Sequence, residues 1–382
     1  MKIRALFSAF ALTSLGLACG GPEIQPQLAD TDGDEAISGR AGVVFTSSND
    51  PVANQVLVYR RASNGSLQRA GIYDTTGTGT GGGLGSQGAL TLSQGGSYLY
   101  VVNAGSNELS EFSVYGDSLY LVDVVPTGGQ KPVSVTENGG LIYVLHAGDG
   151  ASGITGFRRG SDGSLTPISR STRALSAETT APAQISFSPS GRALVVTEKA
   201  TNKISEFRVD TRTGRPGDAI VHDSSGQTPF GFAVTARGQI VVSEAFGGAA
   251  DASKVSSYQL GSSSGLSTIS ASVPNTESAA CWVVLAKNDR FAYVSNTASG
   301  SISAYTVAAS GELTLVGDGR AFDTGEGSRP TDMAVTSNSR YLYTLDSGTG
   351  ALSIARIETN GRLSDLGTVT GLPATAVGLA AK

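Results

Sequence analysis

Six stretches of this 382-residue chain are variants of one another: SYLYVVNAGSNELSEFSV from Ser97, LIYVLHAGDGASGITGF from Leu141, RALVVTEKATNKISEF from Arg192, QIVVSEAFGG from Gln239, RFAYVSNTASGSISAYTV from Arg290 and RYLYTLDSGTGALSIARI from Arg340. Each is a short apolar strand, a turn rich in Gly or Asn, and a further strand in which apolar and polar residues alternate. Self-similarity at a period of about 50 residues marks an array whose units bury their apolar faces only against one another. The spacing predicts an all-β, seven-bladed β-propeller with four-stranded blades, so the whole length serves one closed ring. With 51 Gly and 15% charged residues, the composition suits turns and short strands better than long amphipathic helices.

The first residues have a different character. Lys2 and Arg4 precede an apolar run from Ala5 to Ala18 that is short for a permanent membrane span, and the run ends in LGLAC at Cys19. This pattern resembles a bacterial lipoprotein signal, although Gly16 stands where such signals usually carry Leu. The chain is thus expected to have a signal peptide over 1–18, a lipidated Cys19, and an outer-membrane or cell-surface location. An ordinary cleaved signal with an incidental Cys, giving a periplasmic or secreted protein, is the alternative. Only Cys19 and Cys281 are present, so no disulfide framework competes for Cys19. Without Lys2 and Arg4 the chain holds 25 basic against 32 acidic residues, a net charge of −7, and no basic stripe suited to nucleic acid is visible. Membrane contact is expected through the N-terminal lipid alone, on a monomeric protein.

Residues 19–38 read as the lipid site and an acidic tether. Within them DTDGDE sets Asp30, Asp32 and Asp34 at alternate positions, but Glu35 occupies the place where a calcium loop needs Gly. The propeller is expected over 39–382, with blades at 41–75, 86–127, 131–172, 181–223, 228–274, 279–323 and 329–371. Pro recurs at blade openings (KPVSV, APAQISF, TPFGFAV, RPTDMAV), where its missing N–H interrupts no ladder. The first blade begins at its central strand, AGVVFTSS, and the tail LPATAVGLAAK supplies a strand without a blade. Residues 372–382 are therefore predicted to close the ring and remove an open edge. The insert TTGTGTGGGLG from Thr75 reads as a flexible loop, because no helix follows it to make a phosphate cradle.

Two sets of positions recur in the aligned repeats. Asn103, His146, Glu198, Glu244, Asn296 and Asp346 end the central strands, 43 to 52 residues apart, and would form a polar, acidic rosette at one mouth of the ring. Ser134, Gln184, Gly231, Trp282 and Asp332 follow the blade openings and would line the channel. A strand-end Asn, Asp or Glu commonly satisfies turn amides, and a lone His is commonly a packed residue. Within the first set Glu198, Glu244 and His146 are the catalytic candidates: Glu198 or His146 would activate water, and Glu244 would position it or protonate a leaving oxygen. Asn103, Gln184, Trp282, Asn296, Asp332 and Asp346 would bind, with Trp282 either stacking on a ligand or plugging the channel. One His among a few carboxylates makes no selective metal set, and no metal or cofactor is expected.

The repeats SPSGRALVVTEKATNKISEFRV from Ser188, DGSLTPIS from Asp162 and GELTLVG from Gly311 resemble those of the seven-bladed propeller lactonases, the group of 6-phosphogluconolactonase and the carboxymuconate-cyclising enzyme. The likeness spans nearly all of 41–382, and RFAYVSNTASGSISAYTV is also similar to the Tyr-Val-Thr-Asn repeat propellers of cell surfaces. The resemblance implies a lactone-hydrolysing body whose Glu is matched by Glu198. It also implies a Gly-Pro-Arg-His-like run, and here that run reads Ala181, Pro182, Ala183, Gln184, while Ser134 stands where a His would be expected. An acidic mouth lacking those basic residues would repel an anionic lactone. The expectation is an exported lactonase-like protein acting on a lactone that is not obviously anionic. The alternative is a non-enzymatic envelope propeller that binds a protein or glycan.

Overall fold

The computed structural model describes residues 42–148, 152–261 and 265–382, so the signal, Cys19 and the tether lie outside the described residues. Seven antiparallel sheets follow one another along the chain, one per repeat. In blade four, for example, strands Pro182–Phe187, Ala193–Glu198 and Lys203–Asp210 pair in order, and Ile220–Asp223 lies outermost beside a short Arg215–Pro216 strand. The first strands of successive blades touch one another around the axis, so they are the innermost. Four of them begin on Pro, at Pro132, Pro182, Pro229 and Pro330. The residue before each has a positive φ, from +45° to +57°, and a bulge follows. Kink and bulge together re-aim the first side chains of the inner strand.

Blade one departs from the order and closes the ring. Its inner strand is the C-terminal Val377–Ala381, which pairs antiparallel with Gly42–Ser47. The seam continues through Lys382, whose N–H donates to the Val43 carbonyl at 2.8 Å, while Val43 N–H donates to the Lys382 carbonyl at 3.0 Å. The tail thus covers the edge that Gly42–Ser47 would otherwise present to the channel.

The core lies between blades. Val133, Tyr143, Ile185, Leu194, Val196 and Phe207 join blades three and four, and Val44, Tyr59, Tyr343, Leu352 and Leu379 join seven and one across the seam. Burying each such side chain contributes roughly 1.5–3 kcal/mol, so the contacts around the ring dominate its stability. Buried tyrosines complete the packing by donating to the next blade's outer turn, as Tyr343 Oη does to the Gly65 carbonyl at 2.8 Å. That turn needs Gly: φ at Gly65 is +93°, and a Cβ would stand 2.6 Å from the Tyr341 ring. Among the described residues, no helix is long and apolar enough to cross a membrane.

The Gly-rich insert departs from expectation. Gly79 N–H donates to the Asp50 carbonyl at 2.7 Å, Gly81 N–H to the Asn49 carbonyl at 2.9 Å, and Asn49 Nδ2 to the Gly82 carbonyl at 2.6 Å. Its glycines permit close backbone approach, since a Cβ on Gly79 would lie 2.2 Å from the Asn49 carbonyl. The insert is a bonded strap across blades one and two, and beyond it residues 84–88 enter the centre of the ring.

Candidate functional site

The residues that end the second strands are all at most 2% exposed, and their partners are residues of the sheets and of the turns that connect them; Asn103 Oδ1, for instance, also accepts from Asn54 Nδ2 of blade one at 2.9 Å. The hairpin register sets each opposite the start of the third strand, where a Ser follows two residues on in every blade but that of His146, which has Thr155. Asn103 Nδ2 donates to Ser110 Oγ at 2.8 Å, Asn296 Nδ2 to Ser303 Oγ at 2.9 Å, and Ser353 Oγ donates to Asp346 at 2.6 Å. Glu198 accepts from Ser205 Oγ, Ser176 Oγ and, at 3.0 Å, Thr201 Oγ1. Glu244 accepts from Ser256 Oγ, Ser272 Oγ at 2.7 Å and Gly226 N–H at 2.8 Å. Burial raises the Glu244 carboxyl, and these hydrogen bonds oppose the rise. His146 is held neutral, its pKa pushed down to about 4 by burial.

Glu198 and Glu244 thus share no hydrogen-bond partner, and none of the three expected catalytic groups lines a cavity at the channel mouth. The acidic rosette is instead a set of ties that fasten second strands to third strands. Asn103, Asn296 and Asp346 belong to the same set.

The second series of positions does face the axis. An inner strand has one edge without a strand partner, and its buried N–H groups need acceptors. Ser134 Oγ accepts from Ile185 N–H at 3.2 Å, and Gln184 Oε1 from Phe232 N–H at 2.6 Å. Asp332 Oδ2 accepts from Gly378 N–H at 2.9 Å. Each residue serves the inner strand of the following blade. Gly231 has no side chain to do so, and Gln87 takes over: its Oε1 accepts from Val283 N–H at 2.9 Å and its Nε2 donates to Val283 O at 2.7 Å. Gln87 N–H also donates to the Ala183 carbonyl at 2.9 Å, so one residue of the strap joins blades four and six. Trp282 packs against Phe230 at 4.8 Å and donates from Nε1 to the Ser86 carbonyl at 2.9 Å, plugging the channel with the strap.

Above this plug a cavity of ≈ 400 Å³ opens at the mouth where inner strands begin, lined among others by Trp282, Thr297, Arg329, Thr331, Asp332 and Ser347. Asp332 is its one carboxyl. Burial pushes that carboxyl up to about 7 against the hydrogen bonds from Gly378 and Gly88. The same mouth carries cations. Lys199 rests its Nζ on the Gly85 carbonyl and 4.7 Å from the Phe230 ring, and burial, reinforced by the charge of Lys131, lowers it to about 8. Arg329 and Lys131 occupy equivalent positions immediately before the opening Pro, and Arg329 has no ion pair among the described residues. With the other acids drawn into the blades, cations outnumber the one carboxyl at this mouth among the described residues, where an acidic rosette repelling anions was expected. Cys281, beside Trp282, is no nucleophile, since burial pushes its thiol up to about 11.

The sequence did carry a signal for two of these groups, the KP and RP pairs of KPVSV and RPTDMAV. Gln87 had none, because the opening of blade two follows directly on the Gly-rich insert and lacks the Pro that marks four other blades.

Comparison with known proteins places this architecture. The family described as "Lactonase, 7-bladed beta-propeller" matches in three overlapping segments, 52–178, 168–281 and 252–377. The structure is similar to that of a Pseudomonas aeruginosa periplasmic gluconolactonase, with TM-score 0.70 and 17% identity over 89% of this chain and 98% of that one. It is also similar to a candidate 6-phosphogluconolactonase from Bacteroides fragilis, with TM-score 0.70 and 18% identity over 92% of this chain and 100% of that one. At such identities the likeness shows the fold alone. No curated protein matches the sequence significantly. The segments matched by the family run nearly the length of the propeller, and the chain belongs to the seven-bladed β-propeller lactonase family.

Proposed function

We propose that this chain is an exported lactone hydrolase that works at the mouth cavity, with Asp332 as its acid and base. The observation that carries the reading is that Asp332 is the one carboxyl lining the cavity, buried and titrating near 7. A carboxylate with that pKa is a competent base at neutral pH. It would take a proton from water as the water oxygen adds to the lactone carbonyl, then return that proton to the ring oxygen as the acyl C–O bond breaks, giving the hydroxy acid. Arg329 at the rim and Lys199 beside the strap would hold oxygens of the substrate, which removes the bar against an anionic lactone. Export is supported by Lys2 and Arg4 before the apolar run, and by likeness to a protein named as periplasmic. Lipid attachment at Cys19 belongs to the same proposal.

A binding role without catalysis is favoured by one observation: Asp332 Oδ2 already accepts from Gly378 N–H, so the group also serves the seam. The two readings separate on a panel of neutral and anionic lactones offered to purified protein lacking its first 38 residues. Turnover that Asp332→Asn abolishes and Arg329→Gln weakens is the expected result. No turnover of any lactone, or turnover indifferent to Asp332→Asn, leaves the binding role.

A further inference from the structure

Ten of the 27 Lys and Arg residues but only six of the 32 Asp and Glu residues fall between positions 158 and 218. In a chain with an acidic balance this is a local reversal, and two of those six acids, Glu198 and Glu206, are fully buried. Between blades three and four the reversal coincides with a cleft of ≈ 360 Å³, remote in the repeat from the channel mouth. Its lining includes Arg158, Arg215, Thr166, Ser169 and Thr213, and contains no Asp or Glu. Arg158 is the penultimate residue of the third strand of blade three, Gly153–Arg159, and Arg215 begins the short outer strand of blade four, so the cleft brings together cations from two repeats. The third arginine there, Arg159, turns away, with its guanidinium 3.7 Å from the Tyr98 ring of blade two.

Both guanidiniums are oriented by neutral acceptors. Arg158 Nη2 donates to the Arg212 carbonyl at 3.2 Å, and Arg215 donates from Nε to the Ser169 carbonyl at 3.1 Å and from Nη2 to Ser169 Oγ at 3.0 Å. Neither makes an ion pair among the described residues. The nearby acids are otherwise engaged, Asp162 with Ser164 and Asp210 with the N–H groups of Arg212 and Thr213. Two arginines held at one cleft without a counter-charge repel each other, and a bound anion relieves that cost. Planar guanidiniums beside hydroxyl donors suit an oxyanion that accepts several hydrogen bonds at once.

We propose that the cleft between blades three and four is an anion site, separate from the channel mouth, that takes a phosphate or sulfate monoester, with Arg158 and Arg215 as its principal donors. Pro167 and Ile168 on the same wall give an apolar surface for the ring or chain that bears the ester.

The test is calorimetric titration with inorganic phosphate and with glucose 6-phosphate, performed in an Arg329→Gln background to weaken binding at the channel mouth, so that the cleft's share is the binding lost in the Arg158→Gln/Arg215→Gln double variant. Binding with Kd of about 1 mM or tighter is expected. Arg158→Gln and Arg215→Gln should each weaken it about tenfold, whereas Arg192→Gln, exposed in blade four but outside the cleft, should leave it unchanged. All three side chains are exposed, and matching melting curves will show that the variants fold. Absence of binding, or equal affinity in the Arg158→Gln/Arg215→Gln double variant, overturns the proposal. Sedimentation with phosphatidylcholine vesicles, with and without phosphatidic acid, assigns the source. Capture that needs phosphatidic acid and both arginines points to a lipid headgroup, and soluble binding without capture points to a free ester.

Discussion

Two rings of polar side chains run around this propeller, and they differ in what they hold together. The ring at the ends of the second strands, with Glu198, Glu244, Asn296 and Asp346, ties second strands to third strands through Ser residues, and its amides Asn103 and Asn296 also accept from Asn54 and Asn275 of the preceding chain segment. The ring on the inner strands, with Ser134, Gln184, Gln87 and Asp332, bonds each blade to the next. Residue type does not separate them, since both contain acids and amides. Strand number does: a group on the second strand is enclosed between sheets, whereas one on the inner strand borders the channel. The conspicuous glutamates are therefore enclosed by their own ties, and the less conspicuous Asp332 lines the mouth cavity.

The contrast can be broken experimentally. Removing residues 372–382 deletes the inner strand of blade one and the N–H that Asp332 accepts, and is expected to give insoluble protein or loss of the cooperative thermal transition. An unchanged melting curve would show that the inner ring does not hold the blades. Asp332→Asn keeps shape and should leave melting nearly intact while lowering lactone turnover by about 10²–10⁴; kcat is the quantity to measure. Glu198→Ala should do the opposite. It leaves Ser176, Thr201 and Ser205 without their acceptor, lowering urea stability by about 2–4 kcal/mol with turnover per folded molecule unchanged. If activity falls and stability does not, the assignment of the two rings is inverted.

Gly231→Ala tests the inner ring at its weakest point, because the new Cβ would meet Gln87 Oε1 at 2.1 Å. A cost of about 1–3 kcal/mol is expected, part of it recovered by adding Gln87→Gly. The smallest effect concerns two equivalent third-strand acids, Glu111 and Glu206. Glu206 accepts from Gly265 N–H and pairs with Arg208, whereas Glu111 is fully buried with the Tyr100 hydroxyl as its hydrogen-bonding neighbour. Burial pushes Glu111 up to about 7, and the charge of Arg159 offsets part of the rise. The folded protein therefore binds more protons than the unfolded chain between pH 4.5 and about 7, and stability should fall by about 1–2 kcal/mol as pH rises through that window. Thermal melts of the protein and of Glu111→Gln at pH 5 and 8 would isolate this contribution as the difference between them, because Asp332 and Asp346, which burial also raises to about 7, contribute to both.

Much of the fold was legible because blade stacking repeats the same physical problem at a fixed interval. The Pro openings, the turn before each third strand and the orphan tail all reported the position of a strand in its blade. The site was less legible. The Ser that occupies each strand-end acid stands in the same quoted motif, as in LSEFSV and ISEFRV, but sequence alone shows neighbours along the chain and not which of them the side chain faces. The mouth cations were visible only as residues before Pro, where a positive φ redirects them. The strap could not be read as part of the channel at all, since a segment outside the repeat has no register from which to infer its place.

The exchange between Gln87 and Gly231 bears on how such a ring can change over generations. Repeats that arise by duplication drift apart, and a blade that loses the side chain completing its neighbour's edge would ordinarily weaken the whole circle. Here Gln87 performs that task for the blade that has Gly231, and the space it occupies leaves little room for a side chain at 231. The two positions, 144 residues apart, form one heritable unit: related chains that regain a side chain at the first should have shortened or rerouted the second. Symmetry lost in one blade has become a constraint written into another.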